Sequence, residues 1–234
     1  MYSHQWLSGG DIALPTGKVV CIGRNYVEHA QELNNPVPDE PVLFIKPSTA
    51  LVGTSSNVVL RAELAPIHYE AELSVLIDKP LTHASALDVQ DAIAGIGVAL
   101  DLTRREAQSA LKEKGLPWEI SKAFDGSCVQ SPFVCVNKTD DLSAIQYGLD
   151  INGAPRQRGN TALMITPIIS LICHLTQYFT LLPGDIVLTG TPKGVGQLHH
   201  GDSLSLSLSG DTVASFNCVV SSAVGGVVSD VVSP

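Results

Sequence analysis

Tyr69-Glu70-Ala71-Glu72-Leu73-Ser74-Val75-Leu76-Ile77 reads as a β-strand, free of glycine and proline. Successive side chains on a strand point to opposite faces, so Glu70 and Glu72 share one side. Downstream, Asp88 to about Ile93 predicts a helical turn. Ile96-Gly97-Val98-Ala99-Leu100-Asp101 then predicts a buried strand ending in an acid. Thr103-x-x-Glu106 has the form of a capping box opening a helix to about Lys114, with Gly115 placed to close it. Upstream, Lys18–Ile22 and Val42–Ile45 are short apolar strand candidates. Between them Asn25 is placed as the N-cap of a short helix, with Glu28 three residues on and Asn34-Asn35-Pro36 as its stop.

Further along, Asn152-Gly153 is a type I′ hairpin signal. Thr166-Pro167 opens a helix with Ile168, Leu171, Ile172, Leu175 and Phe179 on one stripe. Leu182-Pro183-Gly184-Asp185 turns into a strand at Ile186–Thr189. From Gly201 on, Ser alternates with Leu or Val, which predicts antiparallel strands with one wet face. Residues 1–17 form a short lead-in closed by Pro15-Thr16-Gly17, and 18–234 a single domain. The sum is a β-rich α+β domain with a few short helices.

Composition narrows the function. The 234 residues are 44% hydrophobic and 16% charged, enough for one substantial core. A net charge of −9 with no basic stripe speaks against nucleic acid. Five scattered cysteines without a CxxC pair fit a reducing compartment, and all five read as small buried hydrophobes. No signal peptide and no apolar run of membrane length is evident, so a cytoplasmic protein without membrane contact is expected.

Several side-chain groups could carry chemistry. Glu70, Glu72 and Asp101 would repel one another unless a hard divalent cation neutralised them, although E-x-E is common on solvated strand faces. His29 and Glu32 share a helix face, as a general base with its orienting carboxylate or as a plain surface ion pair. Arg105 and Gln108 share a face just after Asp101, suited to clamping a carboxylate or simply to meeting solvent; Arg104 points elsewhere. Lys122 sits in a mixed stretch where it could face a developing enolate or snorkel to the surface. The glycine-rich Thr189–Gly196 loop offers backbone N–H groups to anions, or is only a tight turn. It lacks the P-loop signature, and no G-x-S-x-G or H-E-x-x-H occurs.

Each signal alone is weak, but their order in the chain is distinctive. Gly23-Arg24-Asn25-Tyr26-x-x-His29, Phe44-Ile45-Lys46-Pro47-Ser48, Tyr69-Glu70-x-Glu72-Leu73, Asp101-Leu102-Thr103-x-Arg105-x-x-Gln108, Lys114-Gly115-Leu116-Pro117-Trp118-x-x-x-Lys122 and Gly184-Asp185-Ile186-x-Leu188-Thr189-Gly190-Thr191-Pro192-x-Gly194-Val195-Gly196 together resemble the fumarylacetoacetate hydrolase family. The chain looks most similar to the short members around acylpyruvate hydrolase and oxaloacetate decarboxylase.

That resemblance implies a mixed β-sandwich roll, commonly a homodimer. It implies a Mg²⁺ or Mn²⁺ site at Glu70, Glu72 and Asp101 and a catalytic set of His29, Glu32 and Lys122. Arg105 and Gln108 match substrate contacts, and Arg24, Lys46 and Thr191 match positions lining the same pocket. The expected reaction is metal-dependent C–C hydrolysis of a small 2,4-dioxo acid. Oxaloacetate decarboxylation, keto–enol tautomerisation, or isomerisation or decarboxylation of an oxo-diacid from aromatic catabolism are the alternatives. A metal-binding β domain without catalysis is the rival from another class.

Overall fold

A computed structural model describes residues 2–33, 36–37, 40–55 and 57–221. Fifteen strands succeed one another along these residues. The first nine are β1 (Val19–Gly23), β2 (Val42–Lys46), β3 (Leu51–Gly53), β4 (Val58–Arg61), β5 (His68–Tyr69), β6 (Ala71–Ile77), β7 (Ile93–Asp101), β8 (Cys128–Gln130) and β9 (Val134–Cys135). The remaining six are β10 (Gln146–Ile151), β11 (Ala154–Asn160), β12 (Ile186–Leu188), β13 (Gly196–Gln197), β14 (Ser203–Leu208) and β15 (Asp211–Ser221). Five short helices interrupt them: α1 (Val27–Glu32), α2 (Ala86–Ala92), α3 (Arg105–Glu113), α4 (Glu119–Lys122) and α5 (Ile168–Leu175). None is long and apolar enough to cross a membrane.

The larger sheet runs β2-β1-β12-β6-β7-β8-β3, with β9 also on β7; the smaller runs β11-β10-β14-β15-β4. Parallel pairs (β1 with β12, β3 with β8, β4 with β15) occur among antiparallel ones, so both sheets are mixed. Every residue of β6 is buried, because both faces of its sheet are covered. Leu73, Val75 and Ile77 face the main core with α5 and the smaller sheet, while Leu76 joins a second core with Ile12 and Phe133. The lead-in is therefore part of the packing: His4 is fully buried, and its Nε2 lies 3.0 Å from the carbonyl of Gly184.

The hairpin at Asn152-Gly153 forms with both residues at positive φ, 54° and 75°. The Ser/Leu alternation becomes β14, whose leucines are buried and whose serines are not. Three local expectations are corrected. The N-cap of α1 is Tyr26, not Asn25, whose buried side chain is engaged elsewhere. Thr103 does not cap α3, whose N-cap is Arg104, and a complete capping box forms instead at Ser85 with Asp88 on α2. Pro167 is the N-cap of α5 rather than its first turn, and the helix ends at Leu175, so Phe179 packs from the turn beyond. Of the cysteines, Cys21, Cys128 and Cys218 are buried, whereas Cys135, at the end of β9, is exposed and Cys173, on α5, is half-buried, so these two depart from the expectation. The last expected residues of the domain, 222–234, lie outside the described residues.

Candidate metal and active centre

Strand register assembles the acids. β6 and β7 pair antiparallel with Ala71 opposite Leu100 and Glu72 opposite Ala99, and Asp101 N–H donates to the Glu70 carbonyl at 2.8 Å. Asp101 thereby arrives beside Glu70 and Glu72, and a carboxylate oxygen of each lies within 4.8 Å of the others. All three are buried, Glu72 to 1% exposure and Asp101 to 0%.

Three acids so close and so dry need cations. Burial alone would raise the Glu70 carboxyl, but Lys122 and Arg105 hold it well below the usual carboxylate range. Lys122 Nζ donates to Glu70 Oε2, Asp101 Oδ2 and Thr103 Oγ1, each at 2.7 Å, and lies 5.0 Å above the Phe44 ring. Although burial would lower the Lys122 ammonium, Asp101 and Glu70 raise it. Arg105 donates to Glu70 Oε1 and, at 2.8 Å, to Gln108 Oε1; its buried Nε has no hydrogen-bond partner among the described residues.

Among the described residues, no cation is bonded to Glu72. Gly190 N–H donates to its Oε2 at 2.6 Å, but burial, then Asp101 and Glu70, push its carboxyl well above the ordinary value. An all-oxygen set in which one buried carboxyl, Glu72, is left without a cation against it fits a hard divalent cation.

Lys46 underlies this layer. It is fully buried, 2.8 Å from Asp101 Oδ1, and donates to the carbonyls of Lys122 and, at 3.0 Å, Ser127. It thus supports the acids from beneath and does not line the cleft. Thr191 does line it, with its Oγ1 donating to the Ala71 carbonyl at 2.9 Å and accepting from Gln157 Nε2 at 2.8 Å.

On the opposite wall, α1 presents His29, 5% exposed, with Nδ1 3.3 Å from Glu32 Oε2. Burial lowers the His29 pKa, so the ring is held neutral. The other Glu32 oxygen accepts from Gly194 N–H at 3.0 Å, which ties the glycine-rich loop to α1. That loop does meet anions through its backbone, and they are the protein's own Glu72 and Glu32. Arg24 enters the cleft from the end of β1 with φ of 62°, a conformation bulky residues rarely adopt. The next residue, Asn25, is pinned: Asn25 Nδ2 donates to the carbonyls of Thr166 and Thr189, and Oδ1 accepts from Thr166 N–H.

Every residue anticipated for the site except Lys46 thus borders this cleft or, like Glu32, orients one that does. Three participants were missed. Thr103 holds Lys122, but its position before a helix suggested a cap. Lys112 and Trp118 line the cleft, with Lys112 Nζ 5.1 Å above the Trp118 ring. Lys112 was findable, because it continues the Arg105–Gln108 face at i+7.

Residues 18–221 match the family described as fumarylacetoacetate (FAA) hydrolase C-terminal. The oxaloacetate tautomerase YcgM of Escherichia coli K12 is 45% identical over 214 residues, 91% of this chain and 98% of its own. A crystal structure of a fumarylacetoacetate hydrolase family protein from Yersinia pestis CO92 superposes with a TM-score of 0.90 at 49% identity, covering 93% of this chain and 100% of that one. Fumarylpyruvate hydrolase from Pseudomonas aeruginosa, solved with Mn²⁺ and pyruvate, superposes with a TM-score of 0.87 at 32% identity, covering 94% and 96%.

Proposed function

Because the chain belongs to the fumarylacetoacetate hydrolase family, we propose that it enolises a small 2-oxo acid, with keto–enol tautomerisation of oxaloacetate as its leading reaction. The observation that carries this reading is the buried lysine–carboxylate centre facing a neutral His29 held by Glu32. The name of the 45% identical relative puts tautomerisation ahead of the hydrolysis expected first from sequence.

Glu70, Glu72 and Asp101 would hold Mg²⁺ or Mn²⁺, which when bound would serve as a Lewis acid drawing charge from the 2-oxo oxygen. Arg105, through its unpartnered Nε, and Gln108 orient the adjacent carboxylate. Lys122, its three donors held by Glu70, Asp101 and Thr103, places a fixed positive charge beside the oxygen on which negative charge develops. With Nδ1–H turned to Glu32, His29 Nε2 carries the lone pair, so it can take a proton from C3 and return it. Enolisation needs only this transfer and a proton taken up by the 2-oxo oxygen from solvent, released again on ketonisation, and it consumes no water.

A second reading, hydrolysis of a 2,4-dioxo acid, is favoured by the same His29–Glu32 pair, which suits activation of a water. Both readings are separable. Ketonisation of enol-oxaloacetate, followed by absorbance, should be accelerated with Mg²⁺ and lose the acceleration with EDTA. Acetylpyruvate should stay largely intact by NMR. Conversion to acetate and pyruvate without any effect on oxaloacetate would reverse the order, and inertness toward both acids would sink the proposal.

A further inference from the structure

We propose that Lys112, with Arg24 beside it, seats a second carboxylate at the end of the cleft away from the acids, so that the site selects 2-oxo acids carrying two carboxylates. The proposal deepens the function proposed above and rests on it for the identity of the reacting end of the substrate.

Helix geometry sets the placement. Arg105, Gln108 and Lys112 follow at i, i+3 and i+7 on α3, so they share one face, and Lys112 stands about 10 Å further along the axis. Arg105 and Gln108 are engaged at the acid cluster. A helical side chain leans toward the N-terminus, which brings the Lys112 ammonium back over the cleft. There the Trp118 ring beneath it, 5.1 Å from Nζ to centroid, sets its direction.

Charge supplies the second argument. Lys46, Lys122 and Arg105 each lie against Glu70 or Asp101. Lys18, Lys79, Lys138 and Lys193 each have a carboxylate partner as well. Lys112, half-buried and lining the cleft, has none among the described residues. Burial first, then Arg24, Arg105 and Lys122, push its ammonium down to about 8, while Glu70 acts in the opposite direction. The cleft is thus acidic at its floor and positive at this end. A substrate carboxylate arriving there would relieve the repulsion between Lys112 and Arg24 and exchange water for a charge-assisted hydrogen bond. A substrate with a methyl group in that place would gain neither.

Malate and 2-hydroxybutanoate share a four-carbon skeleton and a 2-hydroxy acid end, differ only in the distal carboxylate, and cannot enolise. Calorimetric titration of the Mg²⁺-loaded protein should show malate bound roughly 10–100-fold tighter. Lys112→Gln should abolish most of that preference while leaving 2-hydroxybutanoate affinity unchanged, and Lys112→Arg should retain it. In turnover, Lys112→Gln should raise KM for oxaloacetate far more than it lowers kcat. No preference in the wild type, a preference that survives Lys112→Gln, or an equal loss for both ligands would overturn the seat. A wild type that discriminates the two ligands yet ketonises no oxaloacetate would instead overturn the reaction and leave the seat standing.

Discussion

Glu72 shows most directly how function opposes stability at the residue scale. Its carboxyl is buried among like charges and, among the described residues, has only a backbone N–H for a hydrogen-bond partner. Glu72→Gln removes a repulsion from the metal-free protein and a ligand from the loaded one. The variant should melt at or above the wild-type temperature in EDTA, and it should lose the rise that Mn²⁺ gives the wild type. At an Mn²⁺ concentration 100 times Kd that rise corresponds to about 2.7 kcal/mol in the wild type. A melt of Glu72→Gln that falls in EDTA, or a retained Mn²⁺ response, would contradict the assignment.

His4 tests a different balance. Burial lowers its pKa from the ordinary 6.5, against the opposing influence of the Gly184 and Pro15 carbonyls, so the folded protein resists a proton that the unfolded chain accepts. Its contribution to stability is complete above 6.5 and declines as pH falls through that value toward the lowered one. His29 and His68 shift in the same direction. Unfolding free energy should therefore fall as pH drops below 6.5, and His4→Gln should flatten that slope in urea titrations.

Among the elements, the junction of β1, α1 and the glycine-rich loop decides whether the cleft exists. Asn25 joins them through three side-chain hydrogen bonds to Thr166 and Thr189, directly after the left-handed backbone of Arg24. Asn25→Ala should cost about 2–4 kcal/mol, because it leaves buried backbone groups without partners. Activity should fall even where the variant remains folded, and chemical denaturation with a parallel rate assay checks both. Gly190 is the other half of the junction. At φ of 97° a Cβ there would meet Asn25 Cβ at 2.6 Å, and the Gly190 N–H is committed to Glu72. Gly190→Ala should weaken Mn²⁺ binding and stability together, whereas Gly153→Ala, with nothing within 4 Å of its Cβ, should leave Mn²⁺ binding intact.

For the whole molecule, the two sheets and the lead-in bury both faces of β6, so Glu72 on it, Glu70 just before it and Asp101 at the end of the paired β7 cannot shift without moving two cores. Such a platform is what a tightly spaced charge cluster requires. The homodimer expected from the resemblance belongs at this scale. Sedimentation should give near twice the 24.7 kDa chain mass, and a monomer at every concentration would remove that expectation.

Periodicity and turn chemistry alone located β1, β2, β6, the Asn152-Gly153 hairpin and the α3 face that carries Arg105 and Gln108. These are local patterns, and neighbours in sequence determine them. The E-x-E spacing likewise placed Glu70 and Glu72 on one side, but whether that side met water or Asp101 depended on the β6–β7 register, which no local pattern encodes. Thr103 and Asn25 were misread for the same reason: each has the form of a cap, yet a partner far along the chain, Lys122 for one and Thr166 and Thr189 for the other, claims the side chain. Lys46 illustrates it at full depth. A lysine at a strand end ordinarily reaches solvent, and only folding could bury it beneath Asp101, where the carboxylate's field makes an ammonium stable.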